Sequence, residues 1–538
     1  MKNKFLILSL TIFLFAGCAQ QNGKLITSFG AIPDGKTNNA AFIQKAIDAV
    51  SEAGGGQVVV PPGNFRTGTI YLKSGVDLHL EAGACLQGTA NRADYTDNNR
   101  SGLIEAKKQS KIAISGPGVI DGEAHELMLD IFKKLRSGEM KQDSIWMYKR
   151  PEGGRTVILS IDDCNDVRIS GITLQNSSGW VQNYTACTNV IINGITVQST
   201  AYWNNDGLDI SDCKHVKITN CFINSADDGI CLKSGDARSC CDDVSIDSCT
   251  VRSSASGFKM GTGSTGGFKN VKVRNLTVFD TYRSAIAIES VDGGVIENID
   301  IQNVVAKNTG NAIFIRLGHR NKGDNFGSIK GVYIANVKAE TPLLKPDQGY
   351  PIEGPPDHLQ PGVDKMPSRP SNFHIYGHPF LPYNLIPSSI VGIPGHPVQD
   401  VTLENVEISY GGQASKTIAF MPLREITAIP EHEAKYPEFS MFGELPSWGF
   451  YVRHAEGIKM KNVRVWYKKE DFRPAFVFDD VKGIGLTDVN IAAVKELPAL
   501  YFNNTAGIDI KNLKMPVSES KGVVMNGTSG KLFPELNK

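Results

Sequence analysis

The chain lacks a surplus of charge of either sign: 56 Lys and Arg face 56 Asp and Glu, for a formal net charge of zero. Nucleic acid and anionic membrane surfaces recruit basic chains, so neither is an expected partner. There is no apolar run long enough to cross a bilayer, which takes about 20 residues. Cysteine is sparse, ten in 538 residues, and no Cys/His spacing matches a zinc site. A long helical period is also missing between the repeats described below, so a parallel coil of strands fits better than a sheet alternating with helices.

What is present begins with a leader. Lys2 and Lys4 precede an apolar stretch from Phe5 to Phe15, followed by Ala16-Gly17-Cys18. The stretch is too short for a membrane span and reads as a secretory signal over residues 1–17. It resembles a bacterial lipoprotein signal, which implies lipidation at Cys18, a tether over 18–24, and a place in the cell envelope with the lipid as the sole membrane contact. Nine cysteines follow Cys18. An odd number cannot all pair, and most fall within strand repeats, where Cys behaves as a small buried apolar residue.

One short pattern recurs through the rest of the chain: alternating apolar residues, a polar or glycine kink, then alternation again. Copies start at Val167, Val190, Val216, Val244 and Val271, with steps of 23, 26, 28 and 27 residues. Later copies start at Val401, Ile458, Ile484 and Ile508. Alternation over four to six residues marks a short strand with one buried face. A step of this general size marks one coil of a parallel β-helix, a solenoid that lengthens by adding coils. An antiparallel sandwich also uses short alternating strands, but it does not repeat one pattern so often. The expected fold is therefore all-β, a single parallel β-helix over 25–538. Gly at 54 positions and charged residues at 21% suit many turns and a soluble surface.

Before the first coils, Asn38 or Asn39 is placed to cap a helix over about 40–53, with Phe42, Ile43, Ala46, Ile47 and Val50 on one face. Gly54-Gly55-Gly56 ends it. A helix there closes the open end of the stack. Three stretches break the coil rhythm, at about 122–156, 341–398 and 422–450. They carry aromatics, Trp146, Tyr148, Tyr436, Phe439 and Trp448 among them, that are candidates for stacking on sugar rings. Long insertions in a compact domain are commonly functional.

The chemistry concentrates at residues 204–228. Asn204-Asn205-Asp206-Gly207 is followed by Asp227-Asp228-Gly229, so Asp206 lies 21 and 22 residues before the pair. That is one coil, and neighbouring strands lie about 4.8 Å apart, so three carboxylates share one wall. Close carboxylates cannot all ionise freely, and one pKa is expected to rise. Two carboxyl groups flanking a sugar bond are what glycoside hydrolysis requires.

These residues, with Phe29-Gly30-Ala31, Asp34-Gly35, Gly54-Gly55-Gly56 and Pro62-Gly63, resemble glycoside hydrolase family 28, the polygalacturonase family of right-handed parallel β-helices. The resemblance covers the chain to about residue 340. It implies that Asp227 protonates the leaving oxygen and that Asp206 and Asp228 hold the attacking water, with inversion at the anomeric carbon. Asn204 belongs to the same motif and is a candidate substrate contact. The sequence departs from the family at its recognition residues. The Gly-His-Gly of the family is Ala255-Ser256-Gly257 here, and its Arg-x-Lys pair aligns with Ala287 and Glu289.

Aligning coil on coil places Asp209, Cys231, Lys259, Ala287 and Phe314 in one column, and Ser211, Lys233, Gly261, Glu289 and Arg316 in another. Lys259 and Arg316 thus flank the lost cations by one coil, and Arg283 stands in the column of Asp227. Lys259, Arg283 and Arg316 are candidates for a displaced site for an acidic sugar, with His319 and Arg320 in the following loop. The alternative for Arg316 is a pair with Glu289 along the stack.

The sequence reading is therefore a monomeric, envelope-anchored hydrolase of a pectin-like, uronate-containing polysaccharide or oligosaccharide. The long insertions favour attack at chain ends. Neither metal nor cofactor is expected, because carboxylates suffice for acid–base work. A polysaccharide lyase or epimerase on the same scaffold, with Lys259 or Arg283 as base, and a non-catalytic glycan-binding protein are the alternatives.

Overall fold

The computed structural model describes residues 23–96, 101–140, 154–200, 204–344, 385–414, 423–494 and 498–528. Cys18, the leader, Trp146, Tyr148 and most of the 341–398 insertion lie outside the described residues. Among the described residues no helix is long and apolar enough to cross a membrane.

Helix α1 (Ala40–Glu52) buries Ile43, Ala46, Ile47 and Val50. The two asparagines before it divide the work. Asn38 Oδ1 accepts the Ala40 N–H at 3.0 Å. Asn39 instead bonds the backbone of Ile32 and Arg66, pinning the opening turn to the first coil. At Gly55, φ is +108° and a Cβ would lie 2.7 Å from the Gly75 carbonyl oxygen, so only glycine lets the chain turn this closely from helix into strand.

Every strand pairing among the described residues is parallel, and the repeats stack in register. Val167 pairs with Val190, Val190 with Val216, Val216 with Val244 and Val244 with Val271. The column continues through Ile299, Val332 and Val401, then from Ile458 through Ile484 to Ile508. Each of these side chains is buried. The result is one apolar column running up the inside of a parallel β-helix. Truncating a single rung such as Ile299→Ala would cost about 2–5 kcal/mol. The nine described cysteines are all unpaired, and seven are buried; only Cys85, Cys231 and Cys241 lie in strands, while the other six sit between strands, against the expectation that most would fall within them.

One insertion differs from expectation. Residues 124–137 form a second helix, α2 (Ala124–Ser137). Leu127, Met128, Ile131, Phe132 and Leu135 are buried and recur at helical spacing. That short period was masked by the strand rhythm on either side.

Six strands position the site. They are β1 (Gln182–Thr185), β2 (Leu208–Ser211), β3 (Ile230–Ser234), β4 (Phe258–Ser264), β5 (Gly267–Ser290) and β6 (Val295–Leu317). β1 to β4 pair in sequence on one face, joined there by the C-terminal parts of β5 and β6.

Candidate active site

The carboxylates sit just ahead of strands β2 and β3, and the coil step is 22 residues. Leu208 pairs with Ile230, and the Gly207 N–H bonds the Asp228 carbonyl at 2.8 Å. Asp206 therefore stacks on Asp228, while Asn205 occupies the column of Asp227. The glycine after each acid permits this. A Cβ on Gly207 would lie 2.3 Å from Ile223 and 2.8 Å from the Gly229 carbonyl oxygen. On Gly229 it would lie 2.3 Å from Val251 and 2.7 Å from the Gly257 carbonyl oxygen.

Asn205, which the motif reading passes over, is fully buried and locks the turn. Its amide donates to the carbonyls of Ser177 at 2.7 Å and Gly179 at 2.6 Å. Asn204 adopts φ +53°, accepts from Arg155 at 3.1 Å and donates to Asp227 Oδ2 at 3.4 Å. It touches the carboxylate expected to act as acid. Asp227 accepts the Asp228 N–H at 2.9 Å. Of the three acids it has the greatest access to solvent, 9% exposed against 4% for Asp206 and 3% for Asp228.

Two lysines divide the charge. The Lys233 ammonium lies 3.0 Å from Asp206 Oδ2 and 2.7 Å from Asp209 Oδ1, with the Trp180 ring 4.7 Å away. The Asp209 contact is an ion pair without hydrogen-bond alignment, and neither Asp209 oxygen has a hydrogen-bond partner. The Lys259 ammonium lies 3.0 Å from Asp228 Oδ2, 3.0 Å from the Tyr436 hydroxyl and 3.8 Å from Glu289 Oε2. The Ser256 N–H adds a bond to Asp228 Oδ1 at 3.1 Å.

The stacked carboxyls respond in opposite directions. Burial pushes Asp206 well above the usual carboxylate range, against the pull of Lys233 and with help from Asp209, Asp227 and Asp228. Burial acts on Asp228 too, but Lys259, Arg283 and Lys233 together outweigh it and hold Asp228 below its ordinary value. Burial raises Asp209 to about 6 and Glu289 to about 7, each against a neighbouring lysine. Both ammoniums stand well above the ordinary lysine value, because the surrounding acids outweigh their own burial.

The expected displaced uronate site is corrected by the structure. Lys259 is 1% exposed and already bonded to Asp228. Arg316 is 0% exposed and clamps two carbonyls, Gly392 at 2.7 Å and Glu431 at 2.6 Å. It does not pair with Glu289, whose partner is Lys259. Arg283 is buried against Glu438 at 3.0 Å. None of these three presents an open guanidinium or ammonium to a sugar, because each was drawn under the 423–450 segment. His319 is half-buried and stacks on Phe326 with centroids 4.1 Å apart, and Phe326 stacks in turn on His396. Arg320 pairs with Asp292 at 3.0 Å.

Of the loop aromatics, Phe439 and Trp448 are packed inside rather than offered to sugar. Trp448 sits edge-on to Tyr410 and Tyr467. Tyr436 is half-buried and covers the cations: beyond its bond to Lys259, the guanidiniums of Arg283 and Arg320 lie 5.9 and 5.7 Å from its ring centroid. Asp209 and Trp180 were not singled out from sequence. Asp209 carries the signal of an acid on the same strand face as a lysine one coil later.

Asp206, Asp228 and Cys231 offer atoms within 4.8 Å of one another, the spacing of a metal-ligand set. A metal does not fit them. The Lys233 ammonium already lies 3.0 Å from Asp206 and 3.1 Å from Cys231 Sγ, and burial keeps that thiol protonated. The arrangement is one of acid–base groups: one accessible carboxyl, and a stacked pair beside it with a single carboxylate charge favoured on Asp228.

Comparison with known proteins agrees in fold and family. A probable polygalacturonase of Vitis vinifera is 26% identical over 344 residues, covering 60% of this chain and 62% of the relative, so the chain spans less than two thirds of that relative's length. The exopolygalacturonase of Thermotoga maritima superposes with a TM-score of 0.53 at 22% identity, covering 72% of this chain and 86% of that one. The family 28 exopolygalacturonase of Yersinia enterocolitica gives 0.56 at 18% identity, covering 92% and 79%. Both share the fold. The model of glycosyl hydrolases family 28 matches residues 51–341, more than half of the sequence and the whole of the carboxylate site, and the chain belongs to that family.

Proposed function

We propose that the protein hydrolyses glycosidic bonds in a pectin-like, galacturonate-containing glycan, with inversion at the anomeric carbon. The observation that carries this is the stacked Asp206–Asp228 pair beside the more open Asp227. In an inverting reaction one carboxylic acid protonates the leaving oxygen while a carboxylate takes a proton from water on the opposite face. Asp227 is the acid, and Asp206 with Asp228 holds the water. The polygalacturonase relatives support the substrate class.

Attack at chain ends is supported by the 423–450 segment. Tyr436 and Glu438 reach Lys259 and Arg283 on the coils just after the carboxylates, so the segment covers the coils on that side of the carboxylates. Both solved neighbours also carry the exopolygalacturonase name. The lyase or epimerase reading loses its candidate bases: Lys259 is held protonated by its acids, and Arg283 is paired with Glu438. We further propose a lipid anchor at Cys18, a cell-envelope location and a monomeric chain; fatty-acid labelling abolished by Cys18→Ala checks the anchor.

The test is a screen on pectic and other acidic glycans with anomeric products followed by NMR. The expected result is release of terminal units with inverted configuration, abolished by Asp227→Asn. An unsaturated product, random internal cleavage, or full activity in Asp227→Asn would each overturn the part of the reading that it addresses.

A further inference from the structure

The outer carboxylates Asp206 and Asp228 are chemically identical and one coil apart, yet only one of them has a lysine largely to itself. Lys233 lies closer to Asp209, at 2.7 Å, than to Asp206, at 3.0 Å. Lys259 lies 3.0 Å from Asp228, and its second acid, Glu289, is 3.8 Å away. The Ser256 N–H also bonds Asp228, a hydrogen bond that favours a charged acceptor. Tyr436 closes over Lys259 and leaves it 1% exposed, and such exclusion of water strengthens the ion pair beneath.

We infer that Lys259 is a positioning residue that fixes Asp228, rather than Asp206, as the charged member of the pair and hence as the base that activates water. This rests on the hydrolase reading above. In the step, the water oxygen bonds to the anomeric carbon and the water proton passes to Asp228. The glycosidic C–O bond breaks, and its oxygen takes the proton of Asp227. Solvent then removes the proton from Asp228 and restores that of Asp227.

The groups facing Asp228 all enter this balance. Asp206 and Asp209 face it from the preceding coil, and Asp227, Cys231 and Lys233 from its own. Lys259 faces it from the next coil, and Arg283 and Glu289 from the coil after. Tyr436 and Glu438 of the 423–450 segment act through Lys259 and Arg283. Lys259 is the largest of the influences that hold Asp228 below its ordinary value. Glu289, raised to about 7, takes up its proton before Asp228 as pH falls. Through the acid range, Lys259 then serves Asp228 alone.

The test compares Lys259→Met and Lys259→Arg with the wild type. Without the ammonium, a buried Asp228 is expected to rise, so the acid limb of kcat/KM should move up by about one pH unit or more. KM should change little, because Lys259 is 1% exposed and bonded to Asp228 and Tyr436. Lys259→Arg keeps the charge and should return the limb most of the way. An unmoved limb in Lys259→Met, or a large rise in KM with the pH profile intact, overturns the inference. Carboxyl carbon NMR of aspartate-labelled wild-type protein, with Asp228 assigned by Asp228→Asn, gives a readout without substrate. Asp228 titrating at or above an ordinary aspartate overturns the inference even if Lys259→Met fails to fold. Absence of any glycan turnover would sink the hydrolase reading and leave this titration readable.

Discussion

Asp206 lies one coil beneath Asp228 in a single column, and their surroundings shift the two carboxyls in opposite directions, Asp206 up by burial and Asp228 down by Lys259 and its neighbouring cations. Asparagine copies the shape of a neutral aspartic acid and cannot take a charge. Asp206→Asn therefore imitates the form toward which burial shifts Asp206, while Asp228→Asn removes the proposed base. At neutral pH, Asp228→Asn should lower kcat by roughly 10²–10⁴-fold, the usual worth of a general base, and Asp206→Asn clearly less. Equal losses in steady-state assays of the two variants would contradict the asymmetry.

The glycines behind the carboxylates make a second prediction. In Gly229→Ala the new methyl meets Val251 at 2.3 Å and the Gly257 carbonyl oxygen at 2.7 Å. One contact is a core side chain and the other is backbone, so the coil itself must shift. Overpacking of this kind costs about 1–3 kcal/mol, well short of unfolding a long stack. Gly229 directly follows Asp228, however, so the shift falls on the catalytic geometry. Activity should drop by more than about tenfold, as misplacement near 1 Å commonly does. Circular dichroism should show a cooperative fold that melts only modestly earlier. A variant with normal activity would mean that the coil yields elsewhere.

Much of this was legible before any coordinates. The repeat starts at Val167, Val190, Val216, Val244 and Val271 fall in one column because a parallel coil allows only one register with every apolar side chain inside. The steps of 21 and 22 residues place the three carboxylates on one wall, and the strand register then stacks Asp206 on Asp228. What the sequence could not show was which long side chain ends up under another segment. Lys259, Arg283 and Arg316 look alike as cations in a column. Their environments depend on Tyr436, Glu438 and Glu431, more than a hundred residues away and brought back by an irregular loop with no period to read. Helix α2 was missed for a different reason: fourteen residues carry few turns of signal between strands.

Glu289 gives a prediction about stability. Its folded-state value of about 7 stands above the ordinary 4.5. Between those values the folded protein binds more protons at this site than the unfolded chain does. Its contribution to stability is then full at low pH and falls as pH rises through that window. The gap corresponds to about 3–4 kcal/mol at most, and glutamine cannot ionise. Urea unfolding of Glu289→Gln against wild type should therefore show a difference that shifts in the variant's favour between about pH 5 and pH 8. A constant difference would mean that Glu289 is charged throughout, held by Lys259 more firmly than its burial allows.

Arg316 provides the sharpest separation between a structural and a recognition role. Its guanidinium spans the carbonyls of Gly392 and Glu431, and burial lowers it only to about 10, so it stays charged at neutral pH. Glu431 is also held by Arg453 at 2.7 Å and His454 at 3.1 Å. The clamp is thus one of several that seat the 423–450 segment on the coils. Arg316→Met leaves two carbonyls without their buried donor, at about 1–3 kcal/mol each. Melting should come earlier and proteolysis within 423–450 should quicken. Arg316→Lys should fall between, because one ammonium lacks the planar fork that reaches both oxygens. Affinity for the proposed acidic glycan should survive to the extent that the segment stays seated. A methionine variant that unfolds like the wild type and loses only that affinity would put Arg316 back on the substrate side, against its burial.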